Sequence, residues 1–281
     1  MPGVDLHLHS TASDGLLSPE EIVHRAVELG LNVIALADHD TVEGIPLVLA
    51  SAGNFPRLTV IPAVETSTDL PRGEAHVLGY FIDYTDPDLL ARLESMRDSR
   101  RERAQNIIAK LGNLGINIEW ERVQEIAGDG SMGRPHIARA MLEKGYIPSI
   151  KEAFTSYISR GGVAYAERQK MTPVEAVQLI LRAKGLPVLA HPFTMEDPEA
   201  MVVELKAAGL IGVEVYYSGY TVGEIGQLVG LAEKYNLIAT GGSDYHGQGL
   251  ANEVMMGAVD VPLESVERLI ALAKERGLRL Y

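Results

Sequence analysis

The chain has 281 residues, of which 46% are hydrophobic, a formal net charge of −13 and no cysteine. This length and apolar content support one barrel-sized core with room for an insertion, while the absence of cysteine excludes disulfides, thiolate metal sites and thiol catalysis and fits a reducing, cytoplasmic setting. The acidic balance argues against a grip on long duplex nucleic acid through nonspecific phosphate contacts; no apolar run approaches the ~20 residues of a bilayer span and no signal-peptide pattern opens the chain, so no membrane partner is expected.

In chain order, Val4–His9 (VDLHLH) reads as a strand ending in two histidines. His7 and His9 are two apart, so both imidazoles face one side, where they can hold one cation. Asp14-Gly15 follows in the loop; it is a common turn dipeptide, and its nearness to the histidine pair also makes Asp14 a candidate ligand. Ser18-Pro19-Glu20-Glu21 supplies an N-cap, a proline at the first helical position and the glutamate of a capping box. A helix is therefore predicted to about Gly30, with Ile22, Ala26 and Leu29 on its apolar face. His24 lies on this helix away from every strand end and reads as a surface histidine.

Val33–His39 (VIALADH) is the second apolar run, and it breaks into Asp38-His39-Asp40. Burying three ionisable groups unpaired is costly, which points to a metal or a substrate, with Asp38 expected to cap the next turn and orient a histidine. Thr59–Glu65 (TVIPAVE) ends in a carboxylate and His76 opens HVLGYF. A carboxylate so placed can bridge two cations while imidazoles fill other positions.

From Asp86 to about Lys170 the strand–helix alternation stops, and helices are predicted over Pro87–Leu111, Trp120–Ile126, Pro135–Lys144 and Ile150–Ser159. This divides the chain into a metal-binding barrel, 1–85 and 171–281, and an inserted helical subdomain, 86–170. The basic run Arg97–Arg103 (RDSRRER) reads as a solvated helix face, with substrate or nucleic-acid contact as the alternative. The alternation resumes at Thr172-Pro173 with helix 173–184, strand 187–191 ending in His191, helix 198–208, strand 212–217, helix 222–235, strand 238–243 running into Asp244 and His246, and helix 263–277.

Any one of these residues alone reads as a solvated or hydrogen-bonded loop residue. Five strands that all break into His, Asp or Glu do not. Repeating strand–helix units predict a parallel sheet or barrel whose strand carboxyl ends build the site. Nine candidate ligands gather there: His7, His9, Asp14, His39, Glu65, His76, His191, Asp244 and His246, enough for two or three divalent ions. Three carboxylates against as many as six positive charges leave a positive pocket inside an acidic protein, suited to phosphate.

HLHS with a downstream SDG (His7–Ser10, Ser13–Gly15), ADHDT (Ala37–Thr41), AVE (Ala63–Glu65), AHP (Ala190–Pro192) and GSDYH (Gly242–His246) resemble the motif pattern of the PHP (polymerase and histidinol phosphatase) superfamily. The resemblance implies an α/β fold, a distorted (β/α)7 barrel, holding two or three divalent ions, manganese foremost and iron or zinc as alternatives. It also implies a division of ligands: His7, His9, Glu65 and Asp244 for one ion, Glu65, His76 and His191 for a second, Asp14, His39 and His246 for a third.

Gly133–Arg139 (GRPHIAR), Tyr157–Gly162 (YISRGG) and Ala164-Tyr165 resemble the free-standing branch of nucleotide phosphatases and short-RNA 5′ exonucleases. In that branch Arg134, His136 and Arg160 would face the substrate phosphate. Arg134 stands just before Pro135 and a helix start, where guanidinium and backbone N–H groups can converge on an anion; an ion pair with an acidic neighbour is the alternative. The expected activity is metal-dependent hydrolysis of a nucleotide such as a 3′,5′-bisphosphate, or of 5′ nucleotides from a short oligoribonucleotide. A metal-bridging hydroxide would attack phosphorus, Arg134 and Arg160 would stabilise charge, and His246 or a metal-bound water would protonate the leaving oxygen. The rivals are a histidinol-phosphate phosphatase, weakened by the helical insertion, an amidohydrolase, which would not need the third ligand set, and a non-catalytic metal-binding module.

Overall fold

A computed structural model describes residues 3–70, 73–128, 130–168, 171–247 and 254–279. Seven strands form one sheet in chain order: β1 (Gly3–Leu8), β2 (Leu31–Leu36), β3 (Thr59–Asp69), β4 (Glu74–Tyr80), β5 (Leu186–Leu189), β6 (Gly212–Tyr217) and β7 (Ile238–Gly242). The sheet curls until its edges meet: Leu8 bridges Tyr245 in parallel, and His9 N–H donates to the Tyr245 carbonyl at 3.0 Å. Gly242 permits this approach, since a Cβ there would lie 2.5 Å from the backbone nitrogen of His7. Tyr80 spans the interior, its hydroxyl donating to the Leu6 carbonyl at 3.0 Å although β1 and β4 are not neighbours in the sheet. The architecture is the expected distorted (β/α)7 barrel, nearly closed.

The all-parallel expectation fails at β4, which pairs antiparallel with both β3 and β5. Only four residues separate β3 from β4, far too few for a crossover, so the chain must turn back as a hairpin. His76 therefore reaches the ligand end of the barrel from near the start of a reversed strand, not from a carboxyl end.

Helix α1 (Pro19–Glu28) begins with the predicted capping box, Ser18 Oγ accepting from Glu21 N–H and Glu21 accepting from Ser18 N–H. Its buried face is Ile22, Val23 and Ala26; Leu29, expected there, is 41% exposed because the helix has ended by that residue. Helix α2 (Ile45–Ala52) went unread in the sequence, where IPLVLASA is short and almost wholly apolar and so shows no helical alternation.

The region 86–170 contains α3 (Pro87–Asn113), α4 (Trp120–Ala127), α5 (Arg134–Glu143) and α6 (Ile150–Glu152). The predicted helix Ile150–Ser159 is α-helical only through α6 and continues as a π-helical turn, Ala153–Ile158. One hydrophobic cluster is drawn wholly from residues 104–166, including Ile107, Leu111, Val123, Ile137, Met141 and Ile158. Lys170, the expected end of this region, lies outside the described residues. Four further helices, α7 (Pro173–Arg182), α8 (Pro198–Ala208), α9 (Val222–Lys234) and α10 (Leu263–Glu275), complete the alternation. Among the described residues no helix is long and apolar enough to cross a membrane.

Candidate active site

The backbone at the barrel mouth is held by carboxylates that the sequence does not mark as ligands. Asp5, sharing a face of β1 with His7 and His9, accepts from Ser243 N–H at 2.9 Å, Ser243 Oγ at 2.6 Å and Gly257 N–H at 2.8 Å, and so ties β1 to the segment after β7. Glu214 of β6 accepts from His7 Nδ1 at 2.9 Å and from His191 N–H at 2.7 Å. That bond places the His7 proton on Nδ1 and leaves Nε2 as a lone-pair donor. Asp38 does not cap the turn that follows it; it accepts from Ser10 N–H, Ser10 Oγ and Ser13 Oγ at 2.6–2.7 Å and fixes the loop that presents Asp14. Asp40, His191 and Asp244 have φ of 53°, 25° and 54°, left-handed backbone that side-chain-bearing residues rarely adopt and that clusters at functional sites.

Onto this frame the structure brings all nine candidate ligands together. His7 Nε2 and His9 Nε2 each lie 3.3 Å from Glu65 Oε2, and they lie 3.4 and 3.0 Å from Asp244 Oδ1. His39 Nδ1 is 2.9 Å from Glu65 Oε2, while His76 Nδ1 and His191 Nε2 are 2.8 and 3.0 Å from Glu65 Oε1. His246 Nε2 is 3.4 Å from Asp14 Oδ1, and its Nδ1 donates to the Asp244 carbonyl at 2.8 Å, which again aims Nε2 at the cluster. Three groupings have ligand atoms within 4.8 Å of one another: His7, His9, Glu65 and Asp244; His39, Glu65 and His76; and His9, Asp14, His39 and His246. The first matches the expected set. The second replaces His191 with His39, and the third gains His9.

These residues fit divalent ions. His7 Nε2, His9 Nε2, His39 Nδ1, Asp14 Oδ1, Glu65 Oε2 and Asp244 Oδ1 are buried without a well-formed hydrogen bond. Their mutual spacings are close to the roughly 3.4 Å edge of a tetrahedron built on bonds of about 2.1 Å, the geometry of nitrogen and oxygen around such an ion. The charges are already matched: burial would raise the carboxyl of Glu65, but His39, His76 and His7 outweigh it and hold it well below the ordinary carboxylate range. Burial would likewise depress His246, yet Asp14 and Asp244 lift it to about 10. Metal binding at these histidines would release the protons they carry.

Beside the cluster lies a second feature, a cavity of about 120 Å³ that shares Asp14, His39 and His76 with it and is walled by Arg100, Arg103, Arg134 and Arg168. The basic run of α3 is thus solvated only in part: Arg101 is exposed, while Arg100 and Arg103 turn inward to this cavity. Arg100 donates to Asp40 Oδ2 at 2.6 Å and to Ser67 Oγ at 2.7 Å, Arg168 donates to Asp40 Oδ2 at 3.2 Å, and Arg134 Nη2 donates to both Glu74 oxygens at 3.0 and 3.1 Å. Arg103 Nε and Nη2 and Arg168 Nε and Nη1 are buried with no hydrogen bond. Burial, and then the neighbouring guanidiniums, push Arg103 down to about 9 and Arg168 to about 10. Four guanidiniums, three of them hydrogen-bonded to just two carboxylates and Arg103 to neither, make a place for an anion.

Arg134 sits in this cavity and keeps the acidic partner that was its alternative reading. His136 is buried on the far side of Asp14, its Nδ1 accepting from Gly133 N–H at 2.9 Å. Arg160 is outside the cavity wall, donating to the Leu70 carbonyl and to Asp69 Oδ1 at 3.0 Å each. Arg100 and Arg103 were legible in principle: on α3 they continue the buried stripe Leu89, Leu93, Met96, Ala104, Ile107, so they occupy core-facing positions. Glu214 likewise stands as a lone carboxylate within the apolar run GVEVYY. Arg168 lies in a loop and gives no such signal.

A match to the PHP domain spans residues 5–246. The chain belongs to the PHP domain family. It is 35% identical over 246 residues to the 5′-3′ exoribonuclease of Haemophilus influenzae, covering 86% of this chain and 89% of that one. To the 3′,5′-nucleoside bisphosphate phosphatase of Chromobacterium violaceum it is 30% identical over 267 residues, 93% of each chain. The solved structure of a Bifidobacterium adolescentis protein assigned as a metal-dependent phosphoesterase superposes with a TM-score of 0.88 at 26% identity over 96% of each chain. This PHP protein is accordingly a phosphoric ester hydrolase, and its His/Asp/Glu clusters could hold divalent metal.

Proposed function

We propose that the protein hydrolyses the phosphate ester of a nucleotide that carries a second phosphate: a nucleoside 3′,5′-bisphosphate, or the first link of a short 5′-phosphorylated oligoribonucleotide. The supporting observation is the pairing of two anion positions, the ligand cluster for the reacting phosphate and the adjoining arginine cavity for the other. At 120 Å³ that cavity suits a phosphate group and is too small for a nucleoside. Histidinol phosphate fits poorly, because its ammonium group would be set against guanidiniums of the same charge. An amidohydrolase reading leaves the arginines without a purpose.

In this reading the nine ligands would hold two or three ions, manganese foremost, with Glu65, which meets five of the histidines, at the centre of the set. When bound, they supply Lewis-acid stabilisation of the phosphoryl group and a lowered pKa for water. The chain's own residues orient and neutralise. Arg100 and Arg168, fixed by Asp40, and Arg103 and Arg134 hold the second phosphate, so the reacting one is placed over the cluster before chemistry begins. His246 acts first as a ligand, since its Nδ1–H is committed to the Asp244 carbonyl; to protonate the leaving oxygen it would have to give up that position. Arg160, engaged with Asp69, contributes from outside the cavity. We further read residues 86–170 as an inserted subdomain that brings Arg100, Arg103, Arg134 and Arg168 to a metal-binding barrel. The setting is cytoplasmic, and the substrates are small.

The test is a screen of purified protein with manganese against mononucleotides, 3′,5′-bisphosphates, histidinol phosphate and short 5′-phosphorylated RNA, repeated in chelator and with elemental analysis. Bisphosphates or short RNA should be cleaved fastest, chelator should abolish the activity, manganese should restore it, and at least two ions should be found per chain. A preference for histidinol phosphate, or for nucleotides with a single phosphate, would overturn the reading.

A further inference from the structure

Asp14 also lines a second, larger cavity on its other side. This cleft has a volume of about 720 Å³ and lies between the loop after β1, the end of α4 and one face of α5; Asp14 and Pro135 belong to both cavities. Its lining mixes apolar side chains with charged ones. Leu16 and Leu142 line it at 41% and 38% exposure, together with Ile126. The arginines on it, Arg122 and Arg139, are paired with Glu143, and Arg122 also with Glu125. His136 lines it beside Asp14, and because its Nδ1 accepts from Gly133 N–H, the neutral ring carries its proton on Nε2 as a hydrogen-bond donor.

We propose that this cleft is the subsite for the nucleoside on the 3′ side of the bond that is cut. The proposal rests on the reading that the arginine cavity takes the substrate's 5′-phosphate. With that phosphate held, the group on O3′ of the same nucleotide lies over the ligand cluster. In a bisphosphate nothing follows it; in an oligonucleotide the next nucleoside must go somewhere. The cleft continues from the cluster through Asp14, has the size of a small-molecule site, and offers a flat base apolar contact from Leu16, Ile126 and Leu142 beside polar groups that include His136.

The chemistry balances in both cases. Water adds to phosphorus, the P–O3′ bond breaks, and O3′ leaves with a proton as the free hydroxyl of the first nucleotide. The shortened chain keeps the phosphate on its own 5′ oxygen, which is the group the arginine cavity selects. Product becomes substrate for the next round. Because the cleft's arginines pair with its glutamates, they form no basic track among the described residues, so one nucleotide beyond the cut is recognised and the rest of the strand is not.

The experiment compares kcat/KM for adenosine 3′,5′-bisphosphate with 5′-phosphorylated di-, tri- and hexaribonucleotides, in wild type and in Leu142→Glu and Leu16→Asp, with melting temperatures as a folding control. Both side chains are partly exposed, so either variant should fold. The dinucleotide-to-bisphosphate ratio of kcat/KM should fall about tenfold in each variant. In wild type, kcat/KM should change from bisphosphate to dinucleotide and then stay level through the hexanucleotide. An unchanged ratio, or a rise continuing with length, would overturn the proposal. If wild type cleaves none of these substrates, the two-phosphate reading itself fails, a result distinct from an unchanged ratio.

Discussion

Replacing Arg103 by methionine should give a more stable protein and a poorer enzyme. The guanidinium is 6% exposed, its Nε and Nη2 make no hydrogen bond, and it shares its cavity with Arg100, Arg134 and Arg168. Burial, and next Arg134, push its pKa from 12.5 to about 9. A base whose native pKa lies below its unfolded value penalises the native state fully at pH below the native pKa, and the penalty fades as pH rises from there toward the unfolded value. At pH 7 it is therefore wholly present. Methionine keeps the aliphatic volume and removes the charge, at the loss of a cation–π contact with the Tyr165 ring, whose centroid is 5.7 Å away. The net gain should be roughly 1–2 kcal/mol, or a few degrees in Tm. Activity should move the other way. Two N–H groups await phosphate, and at about 1.5–3 kcal/mol per charged hydrogen bond their loss lowers kcat/KM by about 10²–10⁴-fold. Thermal melts with and without inorganic phosphate, beside steady-state kinetics, check both halves: phosphate should raise the Tm of wild type more than that of the variant. A variant that melts lower and turns over normally would refute the reasoning, since Arg103 would then be a structural residue.

Asp40 is the opposite case, a buried carboxylate held at about pKa 2 because Arg100 and Arg168 outweigh its burial. Asp40→Asn should cost about 3–5 kcal/mol by leaving buried cations uncompensated, and should raise KM; chemical denaturation showing wild-type stability would contradict this. Glu65→Gln keeps shape and removes the charge that meets His7, His9, His39, His76 and His191, so turnover should fall about 10²-fold or more and bound metal should drop while circular dichroism stays native. Near-normal turnover would make Glu65 merely structural.

The candidate ligands were legible in the sequence because strands are local. An apolar run that breaks into His or Asp places those side chains at a strand end whatever surrounds it, and a spacing of two along an extended chain puts His7 with His9 on one side. Nine ligands could thus be named without knowing how the strands meet. Three things waited for the tertiary structure. The direction of β4 depends on a hairpin between partners, so His76 was placed correctly while its strand's sense was not. The supports Asp5 and Glu214 act through hydrogen bonds to residues 23 to 252 positions away, and no local pattern records such partners. The arginines show the limit most sharply. Helical periodicity places Arg100 and Arg103 on the same stripe as Leu93, Met96 and Ile107, but it does not say what covers that stripe. Here the cover is the ligand end of the barrel, with Asp40 to hold one guanidinium and space for an anion beside the other, so charge that composition assigns to solvent is buried at the site instead.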